Sequence, residues 1–302
     1  MNTKIEFPIA TGSFGASVPL AARWCDAPQA DVDASSMPLL VFIHGGGYDE
    51  RYFDVGGRSV IQQAAAAGFG TVALTRPGYP TNDSIAADHP GFAKSAEILD
   101  EAIADAWQQL GSGRPGVVLV THSVGSAIGI HLAARQVSFP LLGLATSAIA
   151  DVLAPAAQGV VSSFPPSICV DLPFAAMRGL LFGPDWTVAS EVLEAGADYL
   201  VRCPTNEVHE LAQNWPTDLK NLAPHVSIPV QYVLAEFDGM WPSSQDAVDR
   251  MAAYFTGTPF VDAKLWRGTG HNIELHTMGR TYVNVVLAFA ERCVMETHRV
   301  IA

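Results

Sequence analysis

The chain has 302 residues, 49% of them hydrophobic and 16% charged, a balance that supports a large buried core and excludes a disordered chain. A net charge of −13, from 17 basic and 30 acidic residues, repels polyanions and argues against a nucleic-acid partner. Cys25, Cys169, Cys203 and Cys293 are too widely spaced for a CxxC pair or a zinc run, so they read as free thiols of a reducing compartment.

At the N-terminus, Glu6 and Pro8 interrupt any apolar stretch, so no signal peptide is expected there. No run reaches the ~18 apolar residues of a spanning helix, and the cytoplasm is the expected location, with no membrane partner. Residues 5–10 and 17–24 are strand-like and flank a Gly-containing turn at 11–15, the pattern of a hairpin.

From Leu39 the rhythm changes. Residues 39–43 are continuously apolar, and similar runs follow at 71–74, 117–120, 141–145 and 230–234, which marks strands covered on both faces. Helical patterns alternate with them. The clearest is 92–110, where Leu99, Ile103, Ala106 and Leu110 form a stripe and Lys94, Glu97, Asp100, Glu101 and Asp105 fall largely off it. This alternation predicts an α/β fold, a mostly parallel central sheet with helices on both faces.

The rhythm breaks over residues 147–227. Eight prolines, from Pro155 to Pro224, cut that stretch into short helices, and it is too long for a loop. A helical cap subdomain is expected there, inserted between core segments 1–146 and 228–302.

The chemistry gathers behind the predicted strands. After 117–120 comes Thr121-His122-Ser123-Val124-Gly125 and then a helical stretch, a nucleophile elbow that lifts the Ser123 hydroxyl at the carboxyl edge of the sheet. Thr121 stands where such motifs usually carry glycine, so the packing below the elbow must differ.

After 39–43 comes His44-Gly45-Gly46-Gly47-Tyr48, a turn whose N–H groups can face a ligand. The spacing is not that of a phosphate loop. The N–H groups of Gly46 and Gly47, with that of Val124, are expected to form an oxyanion hole, each donor worth about 3 kcal/mol. His44 reads as structural. Asp238, in the loop after 230–234, is the expected acid, with Glu236 and Asp151 as competitors. His271, between Gly270 and Asn272 after a strand-like run at 263–266, is the expected base and completes the order Ser, Asp, His. His276 reads as surface and Glu274 as first-turn charge.

These residues, together with Arg76-Pro77-Gly78-Tyr79-Pro80 after 71–74, resemble the α/β-hydrolase superfamily over most of the chain. The resemblance implies Ser123, Asp238 and His271 as a catalytic triad, no cofactor and no metal. It also implies a cap that lines the substrate pocket, with Tyr48, Phe164, Phe174, Phe182, Trp186 and Trp241 as substrate contacts. Superfamily branches with an aspartate nucleophile do not fit Ser123. Branches sharing His-Gly-Gly-Gly carry a longer N-terminal cap, and Tyr48-Asp49-Glu50 departs from the carbon–carbon hydrolases. The expectation is a serine carboxylesterase acting on a small, mostly apolar ester or lactone, and a homodimer is compatible with it. Carbon–carbon or amide hydrolysis by the same triad, a ligand receptor and a degenerate interaction protein are the alternatives.

Overall fold

Each continuous apolar run becomes a strand of one sheet. In the computed structural model, which describes residues 3–9, 18–26, 36–55, 57–79, 91–164 and 169–301, the sheet strands are β1 (Thr3–Ile9), β2 (Val18–Cys25), β3 (Leu39–Ile43), β4 (Gly70–Leu74), β5 (Val117–His122), β6 (Leu141–Ser147), β7 (Val230–Phe237) and β8 (Val261–Gly270). They lie side by side in the order β1-β2-β4-β3-β5-β6-β7-β8. β1–β2 and β2–β4 are antiparallel, and the other pairings are parallel. The expected hairpin is present in its strands; its turn at 11–15 lies outside the described residues.

Helices α1 (Val60–Ala66), α2 (Gly91–Leu110), α3 (Val124–Ala133), α4 (Pro155–Ser163), α5 (Phe174–Leu181), α6 (Ser190–Ala195), α7 (Thr205–Gln213), α8 (Trp215–Leu222), α9 (Gln245–Ala252) and α10 (Gly279–Ile301) complete the fold. The two-residue period of a strand explains why both faces need cover. Leu39, Val41 and Ile43 face a core shared with α2, α3 and α9, while Leu40 and Phe42 face one shared with α1 and α10. On α2, Asp100 departs from the expected polar face: it is buried and accepts hydrogen bonds from the Ser138 N–H (2.7 Å) and Oγ (3.3 Å).

Helices α4 to α8 occupy the stretch between β6 and β7, as short as its prolines predict. Within it, Cys169–Val170 and Cys203–Pro204 pair antiparallel in one brief ladder. This helical stretch docks over the carboxyl ends of the strands. The carbonyls of Leu180 and Leu181, at the end of α5, accept from Gly239 N and Asn272 N, both 3.0 Å, and Val201 N–H donates to Gly47 O at 2.8 Å. Trp215 at the start of α8 is fully buried and donates its Nε1–H to Ala150 O (2.8 Å), so truncating it to alanine should cost about 3–5 kcal/mol. All four cysteines carry free thiols. No helix of the described residues is long and apolar enough to cross a membrane.

Candidate active site

Ser123 sits between β5 and α3 with φ 54° and ψ −124°, a left-handed conformation that costs a non-glycine residue about 1–3 kcal/mol. The sheet holds it there. Ser123 N–H donates to Ser147 O on β6 (2.9 Å), and Ser126 N–H donates back to Ser123 O (2.8 Å). Close approach explains the glycine at 125, where a Cβ would stand 2.4 Å from Ile43 O and 2.5 Å from His44 O. The unusual Thr121 is accommodated one turn along α3: at Gly129 a Cβ would lie 2.7 Å from the Thr121 Cγ2. Its hydroxyl is placed too, donating within 3.2 Å of Ala145 O and Ser126 Oγ.

Asp238 and His271 are brought together by an irregular register between β7 and β8. Ala235 lies opposite Trp266, yet Phe237 lies opposite Gly270, so β8 carries two extra residues. The next residues on the two strands, Asp238 and His271, therefore emerge at one level. β8 thus continues through residues expected to be loop. Glu236, the nearest competitor for the acid role, holds this bulge by accepting from Gly268 N–H (2.9 Å) and Arg267 Nη1 (2.7 Å). Asp151, the other competitor, is paired with Arg250 at 2.7 and 2.9 Å.

His271 Nδ1 lies 2.9 and 3.0 Å from the two Asp238 carboxylate oxygens, and its Nε2 lies 2.9 Å from Ser123 Oγ. A carboxylate only accepts, so it selects the Nδ1–H tautomer and leaves Nε2 bare toward the serine hydroxyl. Asp238 is itself oriented by Met240 N–H (2.9 Å) and Trp241 N–H (3.3 Å). All three side chains are buried.

In the glycine turn, His44 is the structural residue its position suggests. Its Nδ1–H donates to Gly45 O (2.8 Å) and its Nε2 accepts from Arg76 N–H (2.9 Å). Burial, aided by the Arg76 charge, holds its pKa well below 6.5, which keeps the ring neutral. Gly46 and Val124 border the cavity in front of Ser123, and Val124 N–H opens α3 without an intrahelical partner. Gly47 differs from the expectation: its N–H donates to Tyr79 Oη (3.2 Å) and is engaged away from the cavity.

That cavity is a narrow slot of about 620 Å3, its mouth included. Apolar side chains from α4, α5 and α7 wall it. Of the six expected substrate contacts, Tyr48 and Phe164 line it. The other four lie elsewhere. Phe174 meets Phe182 edge-on (5.8 Å), Phe182 is buried against His276 (6.0 Å), and Trp186 is 73% exposed. Trp241 is buried behind Asp238, donating to Ala148 O (2.8 Å). Aromatic content singled them out, but aromatics also fill structural gaps. Aliphatic side chains such as Val160, Leu172 and Met177 form the walls.

A second buried polar cluster lies behind His271. Glu274 is buried rather than first-turn decoration and accepts from Tyr52 Oη (2.7 Å). His122 stacks on Tyr52 (4.7 Å) and meets His271 edge-on (5.1 Å). Burial raises the pKa of Glu274, against the pull of the Tyr52 hydrogen bond. His276 is also buried, not on the surface: its Nε2 accepts from Gly270 N–H (3.0 Å), and burial pushes its pKa down to about 4. Apolar Ile273 and Leu275 on either side of Glu274 were the one sequence signal of this burial. Among the described residues no cluster of His, Cys, Asp and Glu could hold a metal.

A family model described as the alpha/beta hydrolase family matches residues 40–283. A search of curated proteins finds no match. Among solved structures, a carboxyl esterase from Bacillus coagulans superposes with a TM-score of 0.70 at 15% identity, covering 97% of this chain and 99% of that one. A monoglyceride lipase from Saccharomyces cerevisiae follows at 0.69, with 16% identity and coverage of 91% and 92%. A lipase in an open form gives 0.67, with 20% identity and coverage of 97% and 99%. At these identities the likeness concerns the fold, whereas the family match spans most of the chain. The chain therefore belongs to the alpha/beta hydrolase family and is a hydrolase.

Proposed function

We propose that the protein is a serine hydrolase that cleaves small, mostly apolar carboxylic esters or lactones through an acyl-enzyme. The observation that carries this reading is the relay Asp238–His271–Ser123, with 2.9 Å between His271 Nε2 and Ser123 Oγ, opening on an apolar slot. His271 takes the Ser123 proton as Oγ adds to the ester carbonyl carbon. The N–H groups of Gly46 and Val124 receive the oxyanion, and Asp238 stabilises the imidazolium. When the tetrahedral adduct collapses, His271 returns the proton to the leaving alcohol. Water, deprotonated by the same histidine, then releases the acid. No step calls for a cofactor.

Residues 147–227 serve as the cap in this reading, and residues 1–146 with 228–302 as the catalytic core. The narrow apolar slot favours a slender acyl or alcohol chain over a bulky or charged one.

The test is turnover of p-nitrophenyl esters from acetate to decanoate, together with labelling by a fluorophosphonate. A burst of about one nitrophenolate per enzyme and labelling lost in Ser123→Ala are expected. Absence of both burst and label in the native protein would overturn the reading.

A further inference from the structure

The oxyanion turn is held by residues at the ends of two sheet strands and, through them, from the helical stretch. In a trans peptide the carbonyl of one residue and the N–H of the next point in opposite directions. Whatever fixes Gly45 C=O therefore aims Gly46 N–H. Two donors do so, His44 Nδ1–H (2.8 Å) and Arg76 Nη2 (3.0 Å). Arg76 is in turn seated on Glu207 of α7, with Nη1 on Oε1 and Nη2 3.1 Å from Oε2. Tyr79 Oη joins the same carboxylate to the turn: it donates to Glu207 Oε2 (2.5 Å) and accepts from Arg76 Nη2 (2.8 Å) and Gly47 N–H (3.2 Å). Cys203 Sγ also lies 3.6 Å from the Tyr79 oxygen, so the phenol is surrounded by polar partners and its position is fixed. Arg76, Tyr79 and Glu207 are completely buried.

We infer that Glu207 is a positioning residue for the oxyanion hole: through Arg76 and Tyr79 it holds the Gly45–Gly46 peptide so that the Gly46 N–H faces the substrate carbonyl. The oxyanion hole is then complete only while α7 is seated. This inference rests on the ester-hydrolase reading above.

The experiment compares Glu207→Gln and Tyr79→Phe with the native protein and with Glu210→Gln. Glu210, also on α7, accepts from Phe92 N–H (3.0 Å) and anchors the helix without touching the turn. Tyr79→Phe keeps the Arg76–Glu207 pair intact, so it remains informative if Glu207→Gln folds poorly. For p-nitrophenyl butyrate, kcat per fluorophosphonate-titrated site should fall about ten- to hundredfold, somewhat less than deletion of an oxyanion donor. KM should stay within about threefold, because a peptide aimed at the oxyanion acts mainly in the transition state. Affinity for a trifluoromethyl ketone, which forms a tetrahedral oxyanion on Ser123, should fall by the same factor. Glu210→Gln should lower Tm and leave kcat per site unchanged.

Unchanged kcat per site in Tyr79→Phe would overturn the inference, as would an equal loss in Glu210→Gln. If the native protein neither turns over ester nor takes the label, the hydrolase reading itself falls and this inference with it. If the native protein does both and the variants match it, only the inference falls.

Discussion

The elbow at Ser123 and the glycine turn at Gly45–Gly47 lie side by side, yet they are built in different ways. Ser123 is held by neighbours in its own sheet: β5 and α3 on either side of it, Ser147 O on β6, and the close approach of Gly125 to the end of β3. The turn at Gly45–Gly47 depends on partners scattered through the chain, from Arg76 and Tyr79 to Val201 and Glu207 in the helical stretch. The loops of Asp238 and His271 are intermediate. A bulge inside the sheet sets their level, and the carbonyls ending α5 tie them down from above. The placement of Ser123 is thus a property of the sheet, whereas that of the glycine turn in front of it is shared with the helices. The strained backbone of Ser123 is held by a hydrogen bond to the central sheet.

That contrast can be broken or sharpened by substitution. The largest effect is expected from Ser123→Ala, which should cut kcat by a factor on the order of 10⁴ or more while moving Tm by no more than a degree or two. A large Tm change would mean that the serine hydroxyl, and not the backbone, carries the elbow. Next comes Gly125→Ala, whose Cβ would press on the carbonyls of Ile43 and His44, both backbone atoms. A loss of about 3 kcal/mol in denaturant unfolding is expected, since neither strand end can yield.

The third effect is on stability against pH. His276 is pushed down from 6.5 to about 4 by burial, so between those values the unfolded chain binds a proton that the folded chain refuses. Stability is then greatest above pH 6.5 and falls as pH drops toward 4, by at most about 3 kcal/mol from this one residue. Urea midpoints measured from pH 7.5 to 4 should decline, and His276→Gln should decline less steeply. A flat profile in the native protein would contradict the burial of this imidazole.

The smallest effect tests how Thr121 is tolerated. Gly129→Ala should cost about 1–3 kcal/mol by meeting the Thr121 methyl, and adding Thr121→Gly should recover most of the loss. If the double variant is no more stable than the single one, the two positions are not coupled.

Much of the site was legible because its signals are local. A buried apolar run predicts a strand, a small-residue turn after it predicts close approach, and chain order pairs Ser123 with Asp238 and His271. The residues misjudged were those whose role depends on what another part of the chain brings to them. Glu274 and His276 look like a polar helix entrance until Tyr52 and Gly270 are found against them. Phe174, Phe182, Trp186 and Trp241 matched the composition of a pocket, but side-chain type alone does not indicate which face a short helix presents. Gly47 looked like a donor because nothing nearby in sequence competes for its N–H; Tyr79 does.

By itself, then, the sequence determined the order of strands and helices, the elbow and the three residues that converge on it, because periodicity and turn chemistry act over a few residues. Only the tertiary structure decided which amides stay open, which walls form the slot and which acid supports the turn. Those outcomes depend on contacts between positions far apart in the chain, from Gly47 with Tyr79 to Arg76 with Glu207, and a buried charge finds its partner only when the whole chain has packed.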